Sequence, residues 1–149
     1  MSTINSQAPS SNDSEIKQIL INFLEGRCSL MDLQRRLKGN LRIIFNNKTG
    51  STREIRVLNM PEEIEIQVNT KHLTHMLKEY LDKKITEKDI SDWAAFVFMT
   101  SYYLPKGTTE EERWQNGEGV LWDVIQKLAN PSSILLLNNK IAQNYLSLL

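Results

Sequence analysis

The spacing of apolar residues divides the chain into helical and extended segments. A helical repeat predicts a first helix from about Glu15 to Glu25, ended by Gly26. A second helix is predicted from Ser29, with Asp32 three residues on in a capping-box arrangement, to Gly39. The helical pattern returns after residue 70. It predicts helices at 71–82, from Thr86 onward, at 120–129, and at the C-terminal end from Ser133 or Asn138.

Three short β-branched segments lie between these helical regions, at 41–45, 53–58 and 63–68. In the third, Ile64, Ile66 and Val68 alternate with polar residues, as in a strand with one buried face. A lone hairpin is marginal in water, so the strands should pack on a helix. The predicted fold class is α+β and predominantly helical: two helical hairpins and further helices, packed with a small three-stranded antiparallel sheet.

The same pattern predicts one domain with a tail. Residues 1–14 contain almost no apolar side chains, which predicts a flexible segment with Ser14 capping the first helix. Residues 15–149 form the single predicted domain. Within it, 15–40 are a helical hairpin, 41–68 the small sheet, and 71–149 the helical part.

An internal similarity relates the two helical regions. Phe23-Leu24-Glu25 aligns with Tyr80-Leu81-Asp82, and at the same offset Ser29-x-x-Asp32-Leu33 aligns with Thr86-x-x-Asp89-Ile90. Each copy reads as an amphipathic helix, a short basic turn and a capped second helix. The alternative is that any two capped helical hairpins share such features, and two copies fall short of a solenoid repeat.

Composition narrows the class of protein. The chain of 149 residues has 40% hydrophobic and 24% charged residues, which is typical of a globular domain. No apolar run is long enough to span a membrane, and the N-terminus lacks the pattern of a secretory signal. The single cysteine, Cys28, fits a reducing compartment, so a cytoplasmic location is expected. The net charge is zero, but residues 15–60 carry nine Lys or Arg against four Asp or Glu.

Residues able to do chemistry are few. His72 and His75 share one helix face, but there is no further His and a lone Cys, so surface histidines are favoured over a metal site. Cys28 aligns with Ile85 in the internal similarity, which indicates a small buried hydrophobe. No phosphate-binding, metalloprotease or nucleophile motif is present. We therefore expect neither enzymatic activity nor a bound cofactor or metal.

A polar segment at 101–119 offers the best binding candidate. Acids and aromatic rings cluster in it, as they do at protein interfaces. The predicted partner-binding residues are Tyr102, Tyr103, Glu110, Glu111, Glu112, Trp114 and Glu118. The alternative is a solvated helix start, where acids suit the positive end of the helix dipole. Trp93 and Trp122 lie at helical spacing with other apolar residues and are predicted to be core.

A basic cluster at the end of the second helix gives another candidate. Arg35, Arg36, Lys38 and Arg42 could contact phosphates, which makes nucleic-acid binding by the basic 35–56 region the alternative function. Aromatic residues for base stacking are missing beside them. A solvated helix face is therefore favoured.

Residues 73–149 carry a resemblance to a known group. The sequence HLTHMLKEYLDKKITEKDISDWA, followed by an acidic segment and LWDVIQKLANPSSILLLNNKIAQNYL, resembles small helical bacterial immunity proteins of polymorphic-toxin and colicin-like systems. Helical members of that group show a helix, a short turn, I-[ST]-x-x-[DE]-[LI] and then W-A. INFLEGRCSLMDLQRRL looks like a second such element.

The resemblance implies a cytoplasmic protein that binds one cognate toxin domain and neutralises it by contact, with no catalytic residue. It carries over no site motif, and it fixes neither the toxin's activity nor the oligomeric state. A nucleic-acid-binding regulator and a structural or adaptor domain are the alternatives.

Overall fold

The computed structural model describes residues 2–37, 40–45, 48, 52–58, 64–105, 118–129 and 137–149, with the backbone alone at 2–12, 53, 105 and 118. Within these ranges the chain forms six helices and four strands. The helices are α1 (Ser2–Leu24), α2 (Leu30–Arg36), α3 (Thr70–Leu81), α4 (Glu87–Met99), α5 (Glu118–Ala129) and α6 (Asn139–Leu148). The strands are β1 (Leu41–Phe45), β2 (Thr52–Val57), β3 (Ile66–Val68) and β4 (Tyr103–Pro105).

Side-chain caps set the starts of α2 and α4, but the capping box predicted at Ser29 is only half formed, because the Asp32 carboxylate bonds Arg35 instead. The Ser29 hydroxyl accepts a hydrogen bond from the Asp32 backbone N–H at 3.1 Å. At α4 the Thr86 hydroxyl accepts from the Asp89 N–H at 3.1 Å, while the Asp89 carboxylate accepts from the Thr86 N–H at 2.9 Å. These bonds satisfy N–H groups that have no partner inside a helix.

The turns that end α1 and α3 have the same geometry at equivalent positions. After α1, Gly26 N–H donates to Phe23 O at 3.0 Å and Arg27 N–H to Asn22 O at 2.9 Å. After α3, Lys83 donates to Tyr80 at 3.0 Å and Lys84 to Glu79 at 2.9 Å. Gly26 and Lys83 both have a left-handed backbone, with φ of 77° and 62°. Both turns are Schellman motifs, so the internal similarity extends to the backbone.

The strands form two separate pairs, so the predicted three-stranded antiparallel sheet is wrong. β1 and β2 are an antiparallel hairpin, whereas β3 pairs in parallel with β4. Strand β4 lies in the segment predicted to be a loop. Parallel strands need a long crossover, which α3 and α4 supply here. Nothing local in the sequence at β3 identifies a partner so far along the chain.

Helix α4 forms the centre of the core. Every residue from Ile90 to Val97 is buried, and the helix contacts α1, α2, α3, α5 and β2. Most of these residues are apolar, as a helix buried on all sides requires, and Ser91 and Asp92 are the buried polar ones. Trp93 is buried as predicted and donates its indole N–H to Leu24 O at 3.1 Å. Trp122 is only partly buried and packs on Phe98, with ring centroids 5.7 Å apart.

Two predicted helix boundaries differ most from the structure, and at a third position the structure chooses between two predicted starts. Helix α1 begins at Ser2, so the start predicted at Glu15 lies within the helix. The backbone hydrogen bonds of a helix form within the helix itself, so a segment that has few apolar residues can still be helical. Helix α2 ends at Arg36 rather than near Gly39. Asn138 caps α6, which selects one of the two predicted starts.

Candidate binding surface

The structure places Tyr102 and Tyr103 in the core, with 4% and 1% of their surface exposed. Tyr103 donates its hydroxyl to Leu20 O at 2.8 Å, and its ring lies edge-on to Phe96 at 5.7 Å. Burial raises the pKa of the Tyr103 hydroxyl well above its ordinary value, which keeps it a donor. As contacts for a partner these two tyrosines were predicted wrongly. Pairing of β4 with β3 draws the chain inward here.

The remaining predicted partner-binding residues lie beyond what the structure describes in full. Glu110, Glu111, Glu112 and Trp114 fall outside the described residues. Glu118 is the first residue of α5, where only its backbone is described. The acids and Trp114 therefore belong to the segment that joins β4 to α5.

Two exposed apolar side chains lie on the elements that come before this segment in the chain. Met99, at the end of α4, is 41% exposed, and Leu104, in β4, is 38% exposed. Leu104 points outward because Tyr103, its neighbour in the strand, points inward. We call Met99 and Leu104 the loop root. Each is a large apolar side chain at the surface, on an element that comes before the acidic segment in the chain, and such side chains can serve as contacts for a partner.

A groove of about 550 Å³ lies between the helical hairpin α1–α2 and the helical hairpin α3–α4. Equivalent positions of the two units line it: Cys28 and Ile85, Met31 and Lys88, Asp32 and Asp89. Met31 is 58% exposed, whereas Trp93 is buried in its floor. The internal similarity thus gives this concave surface its two walls.

The polar groups of the groove already have partners within the protein. Asp32 accepts from Arg35 at 2.9 Å, and Asp89 is used in the cap of α4. Burial raises the pKa of the Cys28 thiol, and this outweighs the opposing effect of Arg36. A half-buried thiol with a raised pKa is a poor nucleophile at neutral pH. These groups make no arrangement for acid–base or nucleophilic chemistry.

Asp92 anchors the β1–β2 hairpin to α4. Its carboxylate accepts from Lys88 Nζ at 2.7 Å and from the Thr52 hydroxyl at 3.3 Å. Lys88 Nζ also lies 4.8 Å from the centre of the Phe45 ring, so both strands are held. Desolvation raises the pKa of Asp92, although the hydrogen bond and charge of Lys88 act in the opposite direction. No sequence motif indicated this pair, because Thr52 and Asp92 lie far apart along the chain.

The predicted basic cluster is exposed where the structure describes it. Arg35 pairs with Asp32, and Arg36 and Arg42 are exposed on α2 and β1. Lys38 lies outside the described residues. Arg42 stands opposite Arg56 in the hairpin. Like charges placed directly opposite one another are unfavourable, so this part of the surface is suited to an anionic neighbour.

His72 has a structural role. Its Nδ1 accepts a hydrogen bond from the Asn69 backbone N–H at 3.1 Å, which completes the cap of α3. Burial lowers its pKa, in keeping with a neutral imidazole. His75 faces Glu79 at 3.6 Å. Among the described residues, no three His, Cys, Asp or Glu side chains come together in a group that could hold a metal ion. The Asn69-x-x-His72 spacing was the sequence signal for this cap.

The described helices can be compared with the requirements for a membrane-spanning helix. None of them combines the length and the apolar character needed to cross a bilayer.

Comparison with known proteins gives no match: no family model, no curated protein and no solved structure is significantly similar to this chain.

Proposed function

We propose that the chain is an immunity-like protein, which binds a bacterial toxin domain and neutralises it by contact. The observation that carries this proposal is the loop root. Met99 and Leu104 are exposed on α4 and β4, the two elements that come before the segment holding Glu110–Glu112 and Trp114 in the chain. An apolar centre bordered by charge is the usual anatomy of a protein interface.

Leu104 of the loop root follows Tyr103, a residue held by several contacts, and this favours binding. Tyr103 is fixed by its hydrogen bond to Leu20, by ring packing on Phe96 and by strand pairing with Ile66. A preorganised surface loses less conformational entropy on association than a mobile one. The buried tyrosines Tyr102 and Tyr103 thus hold in place the backbone that carries Leu104.

The charge of the adjoining segment indicates the kind of toxin. Three successive acids would suit a basic cleft, such as that of a nuclease, where carboxylates take the place of phosphates. Attraction over distance would also speed the encounter, and added salt would slow it. The proposed partner is therefore a toxin domain with a basic active-site cleft.

Co-expression tests the proposal. A candidate toxin domain, taken from a gene beside this one, would be produced in bacteria with the wild-type chain or a variant, and growth would be followed. Wild type should restore growth. Reversal of Glu110, Glu111 and Glu112 to Lys, or Trp114→Ala, should not. The control reverses three exposed acids elsewhere, Asp13, Glu15 and Glu65, which gives the same change in net charge. A loss of protection in the control alone would contradict the proposal.

The alternatives predict a different result. A nucleic-acid-binding regulator would depend on Arg35, Arg36 and Arg42 in the basic 35–56 region. A structural or adaptor domain would tolerate both sets of changes. If changes to the arginines abolish function and those at Glu110–Glu112 have no effect, the nucleic-acid alternative replaces the immunity function.

A further inference from the structure

The outer edge of strand β2 is unpaired among the described residues. The hairpin contains two strands, and β2 has β1 on one side only. Leu58 N–H donates to Asn40 O at 2.7 Å, so Leu58 and Arg56 direct their backbone polar groups toward β1. Because these directions alternate along an antiparallel strand, the N–H and C=O of Ile55 point away from it. Such an edge can accept another strand.

The charged side chains on this edge are complementary to the same side chains of a second, antiparallel copy. Glu54 and Arg56 flank Ile55 and form an ion pair within the strand, with side chains 43% and 59% exposed. If two copies of β2 ran antiparallel about a twofold axis at Ile55, Glu54 of each copy would lie opposite Arg56 of the other. The neighbouring register, centred on Arg56, would bring two arginines together. Of these two registers, the charges favour the one centred on Ile55.

Two further features favour an acidic strand beside β2. Arg56 already faces Arg42 of β1, an unfavourable pair that a second Glu54 would offset. Val57 and Leu58, at the end of β2, are 38% and 51% exposed and would be partly covered. An extra residue in β2 shifts the register between Ile44 and Phe45, so the regular part of the strand begins at Glu54.

We propose that two copies of this chain dimerise through β2 and form a continuous four-stranded antiparallel sheet. The dimer is independent of the immunity function and does not involve the loop root. Pairing along one short edge buries little surface, so the dimer is weak and exchanges rapidly. Four strands over an apolar face are also more stable than a two-stranded hairpin.

Sedimentation across a concentration series tests the dimer, with the full chain and four variants. Glu54→Arg and Arg56→Glu each place like charges together twice across the twofold axis. Each should raise the dimer dissociation constant roughly tenfold or more. The double variant Glu54→Arg/Arg56→Glu restores complementarity and should dimerise like wild type. Arg36→Glu, an equal change of charge on α2, is the matched control and should leave dimerisation unchanged.

Circular dichroism would establish that every variant is folded. A chain that stays monomeric up to millimolar concentration overturns the proposal. So does a dimer that neither single reversal weakens, or a double variant that fails to recover.

Discussion

The paired turns at Gly26 and Lys83 give the sharpest test of the fold. Both residues have a left-handed backbone, yet Lys83 carries a Cβ and Gly26 does not. That conformation costs a residue with a Cβ about 1–2 kcal/mol. Lys83→Gly relieves the strain, while the greater freedom of glycine in the unfolded chain offsets about 0.5–1 kcal/mol. We expect a net gain of about 0.5–1 kcal/mol in the free energy of unfolding.

The opposite change at Gly26 should destabilise. In Gly26→Ala the new Cβ would lie 2.8 Å from Met76 Sδ and 3.3 Å from the His75 ring, so Met76 must move. Strain and crowding together should cost about 1–2 kcal/mol, which is diminished by the smaller entropy of alanine in the unfolded chain.

Urea denaturation followed by circular dichroism measures both effects. Lys83→Ala is the first control, because it removes the long side chain but keeps the Cβ, and it should give no gain. Lys84→Gly is the second, because Lys84 does not have a positive φ, and it should lose about 0.5–1 kcal/mol. If Lys83→Gly is no more stable than Lys83→Ala, the assignment of a strained left-handed residue is refuted.

Three further predictions concern the core. Trp93→Ala should cost about 3–5 kcal/mol in thermal or urea unfolding, as large buried truncations do, and wild-type Trp93 should resist quenching by iodide. Burial raises the pKa of Asp92 above its ordinary value of 3.8, so the folded state binds the proton more tightly than the unfolded chain does. The stability gained from this proton is fully present below pH 3.8 and is lost as the pH rises through the pKa of the folded state. Asp92→Asn should therefore flatten the fall in stability between acidic and neutral pH, and an unchanged pH profile would contradict the burial of this carboxylate. Tyr103→Phe should lose about 1 kcal/mol by removing the hydrogen bond to Leu20, without weakening partner binding.

The elements that the sequence predicted well are those set by local interactions. The caps at Ser29 and Thr86 were visible because each hydroxyl accepts from the backbone N–H three residues on, within one turn of helix. Strand β1 was predicted with its observed bounds, since its apolar residues and the turn after it are neighbours in the chain. The burial of Trp93 followed from helical spacing alone.

What the sequence could not predict depends on distant partners. Strand β4 has only three residues and depends on its pairing with β3. Helices α3 and α4 separate these two strands along the chain. Without that pairing, Tyr102 and Tyr103 read as exposed aromatics of a polar loop. The left-handed conformation of Lys83 was also hidden, because a lysine gives no signal where a glycine would.

The central claim is that this chain neutralises a toxin through the acidic segment beside the loop root. The most direct measurement is the affinity of the purified chain for a candidate toxin domain, taken from a gene beside its own, by calorimetry at two salt concentrations. Wild type should bind, and more weakly at high salt. Trp114→Ala should lower affinity about 30- to 1,000-fold, which corresponds to about 2–4 kcal/mol for an anchoring ring. Reversal of Glu110–Glu112 should abolish binding, and reversal of Arg35 and Arg36 should not. Binding that survives the acidic reversal but is lost with the arginines would contradict the claim.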